Sequence, residues 1–124
     1  MAKNSRITCE NRCWSGDVRV IFTPAEKRLL RGQIFQAAEF IRIDFSNADL
    51  RDAEFLKVSL EGCDFSGADL QGASFIECDL RGANFARAIF GGTRFDDSWL
   101  IGARGLSNHM SDYARRKGAL LWAS

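Results

Sequence analysis

Residues 63–72 read Cys63-Asp64-Phe65-Ser66-Gly67-Ala68-Asp69-Leu70-Gln71-Gly72: two copies of one five-residue unit, a small residue, an acid, a large apolar centre and two turn residues. Outward from this stretch the spacing does not break. From Phe35 to Leu100 every fifth residue is Phe or Leu, fourteen in succession. Two positions before each centre the residue is small or β-branched almost throughout, from Ala38, Ile43 and Ala48 to Thr93 and Ser98. The residue between is mostly Asp, Glu, Ser or Asn, and Gly recurs two after the centre at 62, 67, 72, 82, 92 and 102.

A period of five fits neither the 3.6 of an α-helix nor the 2 of a long strand. The chain must therefore turn every five residues. Between turns it is extended, so the small residue and the centre, two apart, face the same side. Gly after the centre supplies the backbone freedom of a tight turn. Each unit is one side of a polygon, and the alternation of the centres counts the sides. Phe35, Phe45, Phe55, Phe65, Phe75, Phe85 and Phe95 are all Phe, whereas the seven centres between them are five Leu and two Phe. A three-sided coil would mix Phe and Leu in every column, and a two-sided one is too flat for paired aromatics. Four sides and twenty residues per coil put Phe35, Phe55, Phe75 and Phe95 in one column, facing Phe45, Phe65 and Phe85 in another.

These residues resemble the pentapeptide-repeat family, whose A-[DN]-[LF]-x-x units are met literally at Ala48-Asp49-Leu50, Ala68-Asp69-Leu70 and Ala83-Asn84-Phe85, and more loosely over roughly 33–104. The resemblance implies an all-β solenoid, a right-handed quadrilateral β-helix, here of about three and a half coils. Bulky Ile43 and Val58 in small-residue positions, and Ile89, Arg94 and Trp99 in the polar position, depart from the pattern. Coils there are expected to be distorted or covered.

A solenoid has two open ends that need covers. Residues 1–32 are expected to form the first. Within it Asp17-Val18-Arg19-Val20-Ile21-Phe22 alternates like a strand, and Thr23-Pro24-Ala25-Glu26 matches a capping box opening a helix to about Gly32. Residues 105–124 are expected to form the second. Ser107 caps a helix over about 108–122, with Met110, Tyr113, Ala114, Leu120 and Leu121 on one side, a helix too short to stand alone that must pack on the last coil or join a second copy.

Composition bounds the function. The 124 residues make about one domain, 46% hydrophobic and 27% charged, and seventeen Lys and Arg against sixteen Asp and Glu leave a net charge of +1. There is no overall basic field for binding nucleic acid directly. No run approaches a membrane span, and the N-terminus lacks the apolar core of a signal peptide, so a cytoplasmic protein is expected.

No catalytic constellation emerges, so a non-enzyme without cofactor or metal is expected. Cys63 and Cys78 fall in the inward small position, where Cys is a compact hydrophobe. Cys9 and Cys13 before Trp14 could seat half a zinc site, but only His109 offers a third ligand. That one His leaves little room for acid–base layouts.

Two surface features remain. The period stacks Asp44 with Asp64 and Asp49 with Asp69 on adjacent walls. Resemblance to the family brings a possible role for such rows, since its best-described members mimic DNA and bind type II topoisomerases. Those members have strongly anionic, longer rods, commonly paired through a C-terminal helix. Here Arg42, Arg51, Arg81, Arg87 and Arg94 interrupt the rows, and the acids equally suit bonding to turn backbones. The second feature is apolar: Leu56 and Ile76 should stack on one outer wall, and Trp99 with Ile101 on the next. Grouped apolar surface marks either packing beneath a cap or contact with a protein partner, a second copy included. A scaffold or protein-interaction module with an unidentified partner, or a homodimer through the C-terminal helix, is the leading reading, with the topoisomerase-binding mimic as alternative.

Overall fold

The computed structural model describes residues 13–17, 22–40 and 42–121. Its elements are β1 (Cys13–Asp17), α1 (Pro24–Lys27), β2 (Ile34–Glu39), β3 (Glu54–Leu56), β4 (Ser74–Ile76) and α2 (Asn108–Arg116). The four strands form one parallel sheet in the order β1-β2-β3-β4. Its register is the sequence period: Phe35 pairs with Phe55 and Phe55 with Phe75. The other walls carry single parallel bridges at the same shift of twenty, among them Asp44 with Asp64, Asp49 with Asp69 and Ser59 with Asp79. A side of five residues has only one or two extended positions, so a bridge is all that most walls can form.

One hydrogen-bond rule runs through the β-helix. Each centre donates its N–H to the carbonyl nineteen residues on, as Leu70 does to Ile89 at 2.8 Å; the residue two further does likewise, Gly72 to Gly91 at 2.6 Å; and the polar residue donates backward, Asp69 to Ala48 at 2.9 Å. The centres of the first wall are Phe35, Phe55, Phe75 and Phe95; of the second, Phe40, Leu60, Leu80 and Leu100; of the third, Phe45, Phe65 and Phe85; of the fourth, Leu30, Leu50, Leu70 and Phe90. All are buried except Phe90, which is half-buried. Rings of the first wall stack in parallel at 4.4, 4.6 and 5.2 Å between centroids, and those of the third at 5.1 and 5.2 Å. Across the shaft the two columns meet edge to face, Phe55 to Phe65 at 90°. Both arrangements suit the ring quadrupole, and the first and third walls hold rings alone.

The small position has a chemistry of its own. Wherever it holds Cys, Thr or Ser, the side chain donates to the carbonyl of the centre twenty-three residues earlier: Cys63 to Phe40, Cys78 to Phe55, Thr93 to Leu70 and Ser98 to Phe75. Ser98 Oγ also accepts the Cys78 N–H at 3.0 Å, so this buried hydroxyl is fully used. Burial pushes both thiols up to about 12, leaving Cys63 and Cys78 protonated core groups.

Three expectations need correction. Helix α1 has its capping box, Thr23 with Glu26, but ends at Lys27 instead of near Gly32. The β-helix claims the chain first: Leu30 is already a buried centre, and Gly32, with φ +72°, donates to Arg51 O at 2.9 Å in the ladder pattern. The described strand in this part is Cys13–Asp17; of the stretch 17–22 expected as a strand, Val18–Ile21 lie outside the described residues, and Phe22 is a buried residue beside Phe45. Helix α2 stops at Arg116 because Gly118, at φ +95°, turns the chain back to the body. Beyond it Leu120 joins the ladder: it donates to Ser98 O at 2.8 Å and accepts from Leu100 N at 2.6 Å, continuing the second wall. Nor are the atypical units distorted. Asp79 N reaches Val58 O and Arg94 N reaches Ala73 O, each at 3.0 Å, while Ile89 and Trp99 stay 49% exposed.

Candidate interaction surfaces

The polar position before a centre favours Asp because that side chain can reach the turn just ahead. Asp44 accepts from Ser46 N, Asp49 from Arg51 N, Asp64 from Ser66 N, Asp69 from Gln71 N, Asp79 from Arg81 N and Asn84 from Ala86 N. Asn serves as well as Asp there, so the bond rather than the charge is what the turn needs. Where the residue after the centre is Arg, the charge is also cancelled. Arg51 grips Asp49 through Nε and Nη2, both at 2.8 Å, and Arg81 grips Asp79 at 2.8 and 2.7 Å. These forked hydrogen bonds, reinforced by the turn N–H, hold the Asp49 and Asp79 carboxyls below the ordinary value of 3.8, against burial acting the other way. Burial also pushes Asp44 upward, but hydrogen bonds from Ser46 and Lys27 outweigh it and leave that carboxyl lowered too.

The stacked rows Asp44–Asp64 and Asp49–Asp69 therefore exist, but they are short and partly neutralised. Lys27 bonds to Asp44 at 3.2 Å, and Arg51 lies 3.8 Å from Asp69 as well as on Asp49. The third-wall row ends in Asn84 and Arg104, and the fourth-wall row in Ile89.

Of the four apolar candidates, Leu56 and Ile76 pair across β3 and β4 on the first wall and are half-buried. Trp99 and Ile101 belong to the second wall, Trp99 half exposed and Ile101 half-buried. These are two patches on two walls. The second is larger than the sequence indicates. Leu120 bridges to Trp99 and is 44% exposed, and the Arg81 guanidinium lies over the indole at 5.4 Å. Trp99 also borders a corner cleft of about 210 Å³ lined by Glu77, Asp79 and Asp97. The sequence assigns Leu120 to a helix face and Arg81 to the acidic rows, not to this patch: Leu120 lies off the five-residue count, and the signal for Arg81 is its place twenty residues after Glu61 and before Ile101.

Among the described residues no group of three or more His, Cys, Asp or Glu could hold a metal, and no helix is long and apolar enough to cross a membrane. Cys9 lies outside the described residues.

A family profile described as pentapeptide repeats matches residues 35–67 and 63–100, in eight copies. No curated protein matches. Among solved structures, the chain is similar to trypsin-treated QnrB1, a plasmid-mediated fluoroquinolone resistance protein, at 18% identity over 89% of this chain and 68% of that one, with a TM-score of 0.45. It is also similar to a pentapeptide repeat protein of the Arabidopsis thaliana thylakoid lumen, at 22% identity, 83% and 88% coverage and a TM-score of 0.37. A third is HetL of Nostoc sp. strain PCC 7120, a protein involved in heterocyst differentiation regulation, at 23% identity, 60% and 49% coverage and a TM-score of 0.30.

Proposed function

The chain belongs to the pentapeptide-repeat family, and from that premise we propose that it is a non-enzymatic, cytoplasmic scaffold that binds a protein through the wall bearing Trp99. The rod is read as a right-handed quadrilateral β-helix of about three and a half coils over 33–104, between a cap of residues 1–32 and one of residues 105–124. The observation that carries the interaction reading is the cluster of Trp99, Leu120 and the overlying Arg81 at the end of the second wall. A half-exposed Trp beside an apolar neighbour and an Arg has the composition of a binding hot spot. Leu56 and Ile76 are the secondary candidates. The non-enzymatic reading is supported by chemistry: the two buried thiols are held protonated, and Asp44, Asp49, Asp64, Asp69 and Asp79 are engaged with turns or Arg.

The test is affinity capture from the source extract with the wild-type chain and Trp99→Asp as paired baits, alongside a measurement of mass in solution. A partner, or a second copy, retained by the wild type and lost with Trp99→Asp is the expected result. A monomer whose captured proteins are the same for both baits would end this reading.

The topoisomerase-binding alternative has the stacked Asp44–Asp64 and Asp49–Asp69 rows in its favour. Against it stand the Arg51 and Arg81 clamps, which spend the charge a mimic of DNA must display. Inhibition of a gyrase supercoiling reaction at micromolar protein would favour the mimic over the scaffold.

A further inference from the structure

The last rung of the fourth wall ends in unused backbone groups. On the Leu50 and Leu70 rungs of that wall, the centre N–H, the N–H two residues on and the carbonyl of the small residue bind the next coil, as Leu70, Gly72 and Ala68 bind Ile89 and Gly91. One coil later the equivalent groups are Phe90 N–H, Gly92 N–H and Ala88 C=O, and among the described residues none has a partner. These groups do not face a packed cap. A cleft of about 340 Å³ lies against Phe90 and Gly92, with Thr93 also on the rung side and His109, Met110 and Tyr113 of α2 opposite. Its volume is at the lower end of ligand clefts, enough for two or three residues of peptide.

The chain itself shows how such an edge is met. On the neighbouring second wall the segment 119–121 returns after α2, and Leu120 exchanges hydrogen bonds with Ser98 and Leu100 in the ladder pattern. The fourth wall is not served by that return.

We infer that the cleft between the last fourth-wall rung and α2 takes an extended segment of another protein as an added parallel strand. The ladder dictates the chemistry of the occupant. Its first ladder residue gives N–H to Ala88 O and carbonyl to Phe90 N–H, and its carbonyl two residues on accepts from Gly92 N–H. Between these a large apolar side chain lies over the Phe90 ring beside Met110. The mode is β-addition, in which main-chain bonds give affinity and one pocket gives selection. It is independent of the Trp99 surface, which lies on another wall.

The probe is the acetylated, amidated peptide Ala-Asp-Leu-Gln-Gly, which copies residues 68–72. Titrated into the full chain, it should give saturable shifts of the Phe90, Gly91 and Gly92 amide signals and slow hydrogen exchange at Phe90 and Gly92. N-methylation of its Asp removes the bond to Ala88 and should weaken binding about two- to tenfold, the range for one net hydrogen bond. His109→Trp, on the exposed first turn of α2, should fill the cleft and abolish binding while leaving the circular dichroism unchanged. No shifts at millimolar peptide, equal binding of the methylated peptide, or full binding by a folded His109→Trp chain would each overturn the inference. Loss of binding to Trp99→Asp is not expected, so this test and that of the Trp99 surface fail separately.

Discussion

Gly105 stands where a centre belongs. Arg104 pairs with Asn84, so the next residue lies over Phe85, and the five-residue count asks for Phe or Leu there. Instead the chain leaves the β-helix at Gly105, with φ +89°, and a Cβ at that point would lie 2.4 Å from Ala86 N and 2.5 Å from the Phe85 carbonyl carbon. Both obstacles are backbone held by ladder bonds: Phe85 N to Arg104 O at 2.7 Å, and Gly67 N to Ala86 O at 2.8 Å. Neither can swing aside as a side chain would. Gly92 is the control, with φ +67° and nothing within 4 Å of its built Cβ. Gly92→Ala therefore meets only the left-handed backbone penalty of about 1–2 kcal/mol, partly offset by about 0.4–1 kcal/mol from a less flexible unfolded chain. Gly105→Ala adds the backbone displacement of an overpacked site, about 1–3 kcal/mol, for a total of roughly 2–4 kcal/mol. Urea denaturation of the two variants measures the difference. Hydrogen exchange locates it, since contacts in a solenoid pass only between neighbours and Gly105→Ala should free α2 and the Leu120 rung before the middle coils. Equal urea midpoints for the two variants, or loss of protection in the middle coils first, would refute the reasoning.

Phe65→Ala removes a ring stacked between Phe45 and Phe85 and should cost about 3–5 kcal/mol, clearly more than Phe90→Ala on the half-buried last rung; equal urea midpoints would contradict this. Ser98→Ala leaves Phe75 O and Cys78 N without their buried partner and should cost about 1–3 kcal/mol, whereas Cys78→Ser, which keeps a donor for Phe55 O, should be close to neutral by the same measurement. Asp49 and Asp79 have folded values depressed below 3.8, so the stability they give is present above that value and is lost as pH falls through the lower folded ones. The urea midpoint should be level from pH 7 to about 5 and decline below about 4, less steeply in Asp79→Asn, which retains the turn acceptor as Asn84 does; a wild-type midpoint flat to pH 2.5 would remove the clamps from the account.

The parts of this molecule legible in its sequence are those in which one residue recurs because one environment recurs. Phe35, Phe55 and Phe75 sit in identical surroundings, so their spacing carries the coil and the register together. Position 69 is acidic for the same repeated reason, a turn N–H two residues on. The ends have no such redundancy. Thr23 and Glu26 do start a helix, yet its length is set by where Leu30 enters the shaft, and local capping cannot reveal that. The C-terminal pattern of Met110, Tyr113 and Leu120 reads as one helix face, but Gly118 breaks it and Leu120 joins the ladder. That displacement is why the apolar surface around Trp99 was only half visible in advance.

Polar chemistry in this rod is largely consumed by the rod. Turn N–H groups take the acids, arginines take what charge is left, and hydroxyls and thiols in the small position take centre carbonyls. A wall built this way offers little charge or free hydrogen bonding to a partner, which leaves two kinds of place for recognition. One is where an apolar residue replaces the acid, as at Ile89 and Trp99, both half exposed. The other is where the ladder stops before its donors are met, as at Phe90 and Gly92. Both kinds fall on the last coil, beside α2. Recognition by this chain is therefore expected at the C-terminal end of the rod rather than along its middle walls, and substitutions at Arg51 or Asp69 should leave partner binding intact while those at Trp99 and His109 alter it.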